Sequence, residues 1–544
     1  SSAASDVYKR QDQVQTPGAA TDPLEVTGTT IDITAADATP SPITGRQVVH
    51  LSFPKTKASG ETTVLGEAVT GPAADRLRVL VGTGRAAGNH GDLYENRDGD
   101  HSRLPPENHP QLTHVRYSED AQGAGLHHGL AGTVMFDAPV IGNSSTALTG
   151  GPFWRSLPRA ALIGDGSGTQ LLFQNYANGQ IHVYPEHRDH DPEHGDLIPA
   201  NTPYMLISQG SSGSDQPHLA ALAMILAAFK PETKAKLLET GLLAPTVQMV
   251  FRRSQDNVLS RAAYLSGAAH PSVFAAKTLN PARMVTLANA IEPGDIPPVV
   301  LLDVLEESAA IEGRDYFGAG LDEVLFDTPS AIARVWRSHT YTREIVVSAA
   351  GTRDPNGRPL NFTWAVLRGD PERVRIEPLD ASGATARITM DWPEPRPVPG
   401  APEINSNRID IGVFANNGVH DSAPAFVSVM APRHERRVYE TGPNGAIRIA
   451  SIDYAPGDTY ADPALFPRAD WRDDYAYDAD GALLGWTRNR EGRSDSYDAT
   501  GARILTRHND TAPHQVERPR YAIALDDAGL PQIVEHSTGR VESR

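Results

Sequence analysis

No cysteine occurs anywhere in the 544 residues. That excludes disulfides, zinc–thiolate centres and cysteine nucleophiles. A stray thiol would oxidise outside the cell, so the absence leans toward an extracellular or periplasmic location. Long apolar runs are missing too: the longest, 219–229, is interrupted by Ala and flanked by charge, which reads as a buried helix and not a membrane span. Basic residues are outnumbered, 49 against 67 acidic, for a net charge of -18. A phosphate backbone or an anionic membrane surface needs a basic footprint, so nucleic acid and membrane are poor partners. Aromatics make up only 6% of the chain and Met numbers 7, whereas Pro and Gly reach 43 and 47, which points to loops and strands over helical bundles. The length exceeds what one core supports and predicts three or four units.

The first residues stand apart. Residues 6–11 read DVYKRQ, the translation of a transposon mosaic end used in DNA library preparation, so residues 1–11 are expected to be adapter-derived in an environmental, bacterial sequence. Residues 12–45, rich in Thr, Ala, Pro and Asp, are expected to form a disordered linker. From residue 46 to 298 strand-like runs such as 78–81 alternate with polar loops. TQLLFQNY and QIHVYP flank Asn178-Gly179, a pair that tolerates positive φ, and predict a β-hairpin over 170–184. A buried strand at 204–208 follows, then helices over 217–229, 232–239, 246–253 and 282–291, with Gly241 placed as a helix stop. This mixture predicts an α/β or α+β domain over 46–298. Beyond Pro298 the helical pattern ends, and VVLLDVLEE, AIARVWRS and REIVVSAAG read as strands, the first two within a connecting β segment over 299–340.

Residues 349–364 read AAGTRDPNGRPLNFTW. With Asp354, Pro355, Gly357, Leu360, Phe362 and Trp364, this stretch resembles the PKD and cadherin-like Ig-fold families, in which such a turn leads into a strand holding a core Trp. Arg368-Gly369-Asp370 stands where PKD domains carry Gly-Asp-Gly. The resemblance implies an Ig-like β-sandwich over 341–432, with 409–414 and 425–429 as later strands, serving as a spacer or a carbohydrate- or protein-binding module. In the last segment, 433–544, Tyr477-Asp-Ala-Asp-Gly481 and Tyr497-Asp-Ala-Thr-Gly501 share a Tyr-to-Gly step, with looser copies at 525–529 and 439–445. These resemble the YD repeats of the RHS family, which implies a β-hairpin per unit and a small antiparallel sheet.

Four groups carry candidate chemistry. Gln209-Gly-Ser-Ser-Gly-Ser-Asp215 lies between a predicted strand and a predicted helix, the setting of a nucleophile elbow, with Ser212 as nucleophile and Asp215 beside it. The same residues also serve as ordinary helix caps. The loop HVYPEHRDHDPEHGD (182–196) concentrates imidazoles and carboxylates: His187 as base for Ser212, or His187, His190, His194, Asp189 and Asp191 as ligands to Zn²⁺, or a solvated surface loop. Asn96-Arg-Asp98-Gly-Asp100-His101 alternates oxygen side chains as the opening of a calcium loop does, without its closing Glu. Asn143, Trp154 and Arg155, near a Gly-rich turn, are candidates for lining a sugar or carboxylate cleft. Together these predict a secreted hydrolase of a polymer or ester, serine-type or metal-dependent, with β-rich accessory modules. The alternative is a non-catalytic adhesion or carbohydrate-binding surface protein engaging polysaccharide or a cell-surface glycan.

Overall fold

The computed structural model describes residues 22–40, 46–53, 63–148, 155–454, 460–506 and 515–543. The chain is β-rich with few helices, and it is compatible with Ig-like β-sandwiches in its middle part. Its first part is built on a six-stranded sheet: β1 (Thr30–Ile33), β2 (Leu93–Asn96), β3 (Thr113–Tyr117), β4 (Val140–Asn143), β5 (Gln180–Pro185) and β6 (Leu206–Ser208), in the order β6-β5-β4-β2-β3-β1. Every pairing is parallel. Helices α1 (Pro72–Gly82), α2 (Ser167–Ala177), α3 (Gln216–Ala228), α4 (Pro231–Glu239), α5 (Leu243–Arg253) and α6 (Pro281–Ala290) accompany the sheet. Helix α3 is apolar around nearly its whole circumference, and Leu219, Leu222, Ile225 and Leu226 are all buried in the main core. A helix with no polar face must be enclosed, and this one is packed by α1, α5, α6 and strand β4.

Several local expectations give way. The segment 167–177 is helix α2, so no hairpin forms at Asn178-Gly179. Thr169 and Phe173, and Leu172 and Tyr176, recur four residues apart and are buried, which is helical spacing. Asn178 caps that helix, its side chain bonding Gln174 O at 2.6 Å, and Gly179 at φ 73 carries the chain out of it. Residues 78–81 likewise belong to helix α1, which starts at Pro72 and buries Ala73, Ala74, Leu77 and Leu80 on one face. The expected linker is also part of the fold: Ile31 and Ile33 are buried and β1 forms the sheet edge against β3. Residues 1–21 and 41–45 lie outside the described residues.

Two facing sheets follow. One comprises β7 (Asp303–Glu307), β10 (Thr342–Ser348), β13 (Thr385–Asp391) and β12 (Val374–Pro378). The other comprises β8 (Val324–Thr328), β9 (Ala331–Val335), β15 (Ala425–Met430), β14 (Ile409–Asn416) and β11 (Asn361–Arg368). Ile345, Val347, Ile388 and Met390 from the first meet Ile332, Ile411, Val413 and Val427 from the second in one core. The fully buried Trp is Trp336, packed edge-on to Trp392, whereas Trp364 is only half-buried and donates to Gly383 O at 2.7 Å. Trp364 lies on β11 and packs against this core from its half-buried position, and Trp336, outside the quoted motif, is enclosed within it.

The last part is an eight-stranded antiparallel sheet, β16 (Arg436–Thr441), β17 (Ile447–Asp453), β18 (Arg472–Tyr477), β19 (Leu483–Arg490), β20 (Arg493–Asp498), β21 (Arg503–Thr506), β22 (Gln515–Glu517) and β25 (Val541–Ser543), with a separate hairpin of β23 (Arg520–Leu525) and β24 (Pro531–His536). The Tyr-Asp-x-x-Gly step has a clear physical basis. Asp478 Oδ1 accepts the N–H groups of Asp480 and Ala482, at 3.0 and 2.7 Å, and Asp498 does the same for Thr500 and Ala502. The Asp thereby mimics a backbone turn, and Gly481 and Gly501, at φ 89 and 88, supply the left-handed residue that closes it.

Candidate functional site

The strand order places a crevice. From β2 the chain moves to β3 on one side, then returns to β4 on the other side of β2 and continues to β5 and β6. Connections therefore diverge between β2 and β4, and in open parallel sheets ligands bind outside the carboxyl ends of strands at such a switch point. Asn96 and Asn143 are register partners at these two ends.

The loop after β2 is wound tightly over the crevice. Asn96 Nδ2 donates to His101 O at 2.8 Å, and Asn143 Nδ2 reaches the same carbonyl at 3.4 Å. Asp98 N–H bonds Asn96 Oδ1 at 2.9 Å. Among the described residues, positive φ outside glycine occurs only at Asp100, Ser102, His187 and Arg188, all in loops at the carboxyl ends of β2 and β5. Backbone strain of this sort persists only where surrounding structure enforces it, and it gathers at binding and catalytic sites.

From the other side comes Asp215, the first residue before α3. Its carboxylate does not cap the helix; Oδ1 instead accepts from Ser102 Oγ, and Asp215 is fully buried. Asp98 is close enough that the Asp215 charge, after burial, helps lift the Asp98 carboxyl to about 6. Three buried acceptors here lack a hydrogen-bond donor among the described residues: Asp98 Oδ2, Asn143 Oδ1 and Asp215 Oδ2. An orphaned acceptor in a buried site costs about 1–3 kcal/mol, so three together mark a place made for something that donates or coordinates.

The loops after β5 and β6 are neighbours because Pro185 pairs with Ser208. Glu186 joins them, accepting from Gly210 N through one oxygen and from His190 N through the other, both at 3.1 Å. Burial pushes its carboxyl up to about 7. Ser212 Oγ donates to Ser145 Oγ at 2.9 Å, while His187 Nε2 meets the Ser145 carbonyl oxygen at 2.6 Å. Ser212 and His187 are thus drawn to one residue, Ser145, and not into hydrogen-bond contact with each other. Asp215, Asn143, His187 and Ser212 all sit around the switch-point end of the sheet.

The remaining imidazoles and carboxylates of the 182–196 loop are dispersed. Asp189 is buried against Ser156 N, at 3.1 Å, and Arg159, at 3.0 Å. Asp191 Oδ1 caps the N–H groups of Glu193 and His194. His194 packs edge-on against Tyr460, and His190 is buried facing the charges of Arg368 and Arg408. Among the described residues no group of three or more His, Asp and Glu side chains is arranged to hold a metal ion. Arg155 pairs with Asp462 at 2.9 Å, and Trp154 lies outside the described residues. Glu186 falls in the carboxylate-rich 182–196 loop and Ser145 in the polar run that starts at Asn143, whereas no sequence signal marks Ser102.

His190 gives a pH prediction. Burial, then the two guanidinium charges, lower its imidazole to about 4. A group whose folded value lies below its unfolded value of about 6.5 contributes stability above that pH and loses it as pH falls through the folded value. The chain should therefore lose about 2–3 kcal/mol through this residue between pH 6.5 and 4. Urea titrations at stepped pH should show a shallower acid limb for His190→Gln; an unchanged limb would remove His190 from the account.

No family model matches the chain, and no curated protein does. Among solved structures it is similar to a nucleoside hydrolase-related hypothetical protein from Saccharophagus degradans that is associated with carbohydrate metabolism, at 8% identity over 63% of this chain and 100% of that one, with a TM-score of 0.19. It is also similar to the N-terminal Ig1-2 module of the Drosophila receptor protein tyrosine phosphatase DLAR, at 11% identity over 44% of this chain and 97% of that one, with a TM-score of 0.13. Superpositions this slight carry no argument. Among the described residues no helix is long and apolar enough to cross a membrane.

Proposed function

We propose that the chain is an exported hydrolase acting on a hydroxyl-rich polymer or ester at the crevice between β2 and β4, with carboxylates as its acid and base. The supporting observation is the convergence of Asp98 Oδ2, Asp215 Oδ2 and Asn143 Oδ1, buried acceptors without donors, at the switch point. Substrate hydroxyls supply the missing donors. Asp98, lifted to about 6 by burial and by Asp215, keeps its proton up to about pH 6 and is the general acid for the leaving oxygen. Asp215 orients the attacking water and receives its proton, while Asn143 positions the substrate. Ser212 lines the wall through Ser145. The parallel-sheet part is the catalytic α/β domain; the Ig-like part and the YD-type hairpin repeats attach it to polysaccharide or glycan in an extracellular or periplasmic setting.

The acceptor-only oxygen set favours one second reading, a calcium site. Asp98, Asp215 and Asn143 would hold the ion, which when bound polarises a substrate oxygen or water.

Chromogenic glycosides and esters offered to wild type, Asp215→Asn, Asp98→Asn and Ser212→Ala test the proposal. Either carboxamide should lower kcat by about 10²–10⁴-fold, whereas Ser212→Ala should stay within about threefold. Asp98→Asn should also remove a pH limb near 6. Loss of activity with EDTA and its return with Ca²⁺ would favour the ion. Loss in Ser212→Ala alone would favour a serine esterase, and binding of glycan without turnover would favour attachment.

A further inference from the structure

Ser102 lies in the tight loop after β2 and has φ 54, a left-handed backbone that a residue with a side chain seldom adopts. Three contacts from outside the residue hold that conformation. Tyr94 of β2 donates its hydroxyl to Ser102 O at 3.1 Å and accepts from Leu104 N at 3.3 Å. Gln216, the first residue of α3, donates from Nε2 to Arg103 O at 3.1 Å. The enforced backbone turns the side chain toward the start of α3, where Ser102 Oγ donates to the buried carboxylate of Asp215. Strain maintained from several sides around one polar side chain is a feature of functional loops.

A serine hydroxyl that donates its one proton to a carboxylate keeps its oxygen lone pairs for an electrophile. Asp215 is suited to receive that proton, since its Oδ2 has no donor among the described residues and no second hydrogen bond there weakens it as a base. The N–H groups of Ser102 and Arg103 make no hydrogen bond among the described residues. In a nucleophile elbow the N–H of the residue after the serine meets the acyl oxyanion, and the N–H of Arg103 has that place in the chain. The hydroxyl, its base and the free N–H groups all belong to the carboxyl-end loops at the switch point, where Asp98 and Asn143 also lie.

We propose that Ser102 is a nucleophile with Asp215 as its base, and that the substrate of the crevice is a carboxylic ester. The assignment rests on the carboxylate reading of the crevice and narrows its substrate, because serine attacks acyl carbon whereas glycosidic carbon is ordinarily attacked by water or a carboxylate. Oγ bonds to the ester carbonyl carbon as its proton passes to Asp215. The bond from that carbon to the alkoxy oxygen breaks with its electron pair, and the alkoxide takes the proton of Asp98. Water then bonds to the acyl carbon and gives a proton to Asp98, while the bond to Oγ breaks and Oγ recovers its proton from Asp215. The free acid departs, and both carboxyl groups are as they began.

The full-length chain is treated with diisopropyl fluorophosphate, digested and mapped by mass spectrometry, and is separately offered p-nitrophenyl butyrate and p-nitrophenyl glucoside. The label should fall on Ser102, and the butyrate should be turned over. Ser102→Gly accepts the left-handed backbone without strain, so circular dichroism should show the wild-type fold. That variant should take no label and lose more than about 10³-fold in kcat on the butyrate. Ser102→Ala, should the glycine variant not fold, is expected to behave alike. Turnover lost in Asp215→Asn but kept in Ser102→Gly overturns the nucleophile and leaves the carboxylate reading standing, with water attacking directly. Turnover of the glucoside alone, or a label on another serine, does the same. Butyrate turnover untouched by Asp215→Asn, or a wild-type chain that neither turns over a substrate nor takes the label, brings down both.

Discussion

Replacing Arg488 with Met should destabilise the C-terminal sheet by about 3–5 kcal/mol, the cost of stranding a buried carboxylate. Arg488 is fully buried on β19. Its guanidinium grips Asp473 of β18 through two bonds of 2.8 Å, reaches Tyr521 Oη at 3.0 Å and Glu535 at 3.2 Å, and lies 4.3–4.4 Å from the ring centres of Trp471 and Phe317. One side chain thus ties two neighbouring strands, the separate hairpin and the 317 loop. Met fills much of the volume but leaves Asp473 without its bidentate cation, whereas Glu535 keeps Arg490 and Arg503. Urea unfolding followed by Trp fluorescence should place the loss in this sheet, since Trp471 and Trp486 lie within it. The double change Arg488→Met with Asp473→Leu should recover much of the loss, because an apolar replacement of a whole buried pair is often neutral. A single-variant loss below about 1 kcal/mol would mean that the cage is solvated and energetically idle.

Local regularities were legible in the sequence to the extent that neighbours in sequence decide them. The apolar run of α3 announces a helix with no solvent face, and the Asp-to-Gly steps at 478–481 and 498–501 announce turns, because the Asp carboxylate and the Gly φ act within four residues. Asn178-Gly179 shows the limit: the same pair closes a primed hairpin or ends a helix, and the deciding information is burial of Leu172 and Tyr176 on one face. The single strand β1 carries two buried Ile residues in a Thr- and Asp-rich stretch, too little pattern to outweigh its composition, and its pairing partner lies 84 residues on. The candidate site is less legible still. Ser102 and Asp215 meet across 113 residues of sequence, and only the order of parallel strands brings them together. The 182–196 loop advertises more chemistry than it concentrates, since Asp189, Asp191 and His190 are each taken up by holding the loop's own shape or its packing.

Asp196→Asn should have the second large effect, because the catalytic part proposed here does not stand by itself. Asp196, on the loop that began at β5, faces Arg368 and, at 3.3 Å, Arg408, both from the sandwich-like part. Arg408 in turn holds Asp410 through two bonds of 2.9 Å, both guanidinium groups donate to Ser272 Oγ, and Ser428 Oγ bonds Asp410 at 2.7 Å. Two cations and two anions balance in a site closed to water. Neutralising Asp196 leaves one carboxylate for two guanidinium groups, an imbalance of the kind that costs about 3–5 kcal/mol. Its position matters as much as its size: the network joins the 186–198 loop and residue 272 to β11 and β14, across an apolar core that also carries Leu367, Phe414 and Phe426 onto the helical side. Calorimetry of the wild-type chain should therefore show the parallel-sheet and sandwich parts melting as one transition, and the Asp196→Asn chain should show a lowered and divided one. The variant should also lose stability on acidification more steeply, since His190 then faces the same two cations with less opposing charge nearby. A melting profile unchanged in shape and midpoint would mean that the two parts are coupled by the shared apolar core alone.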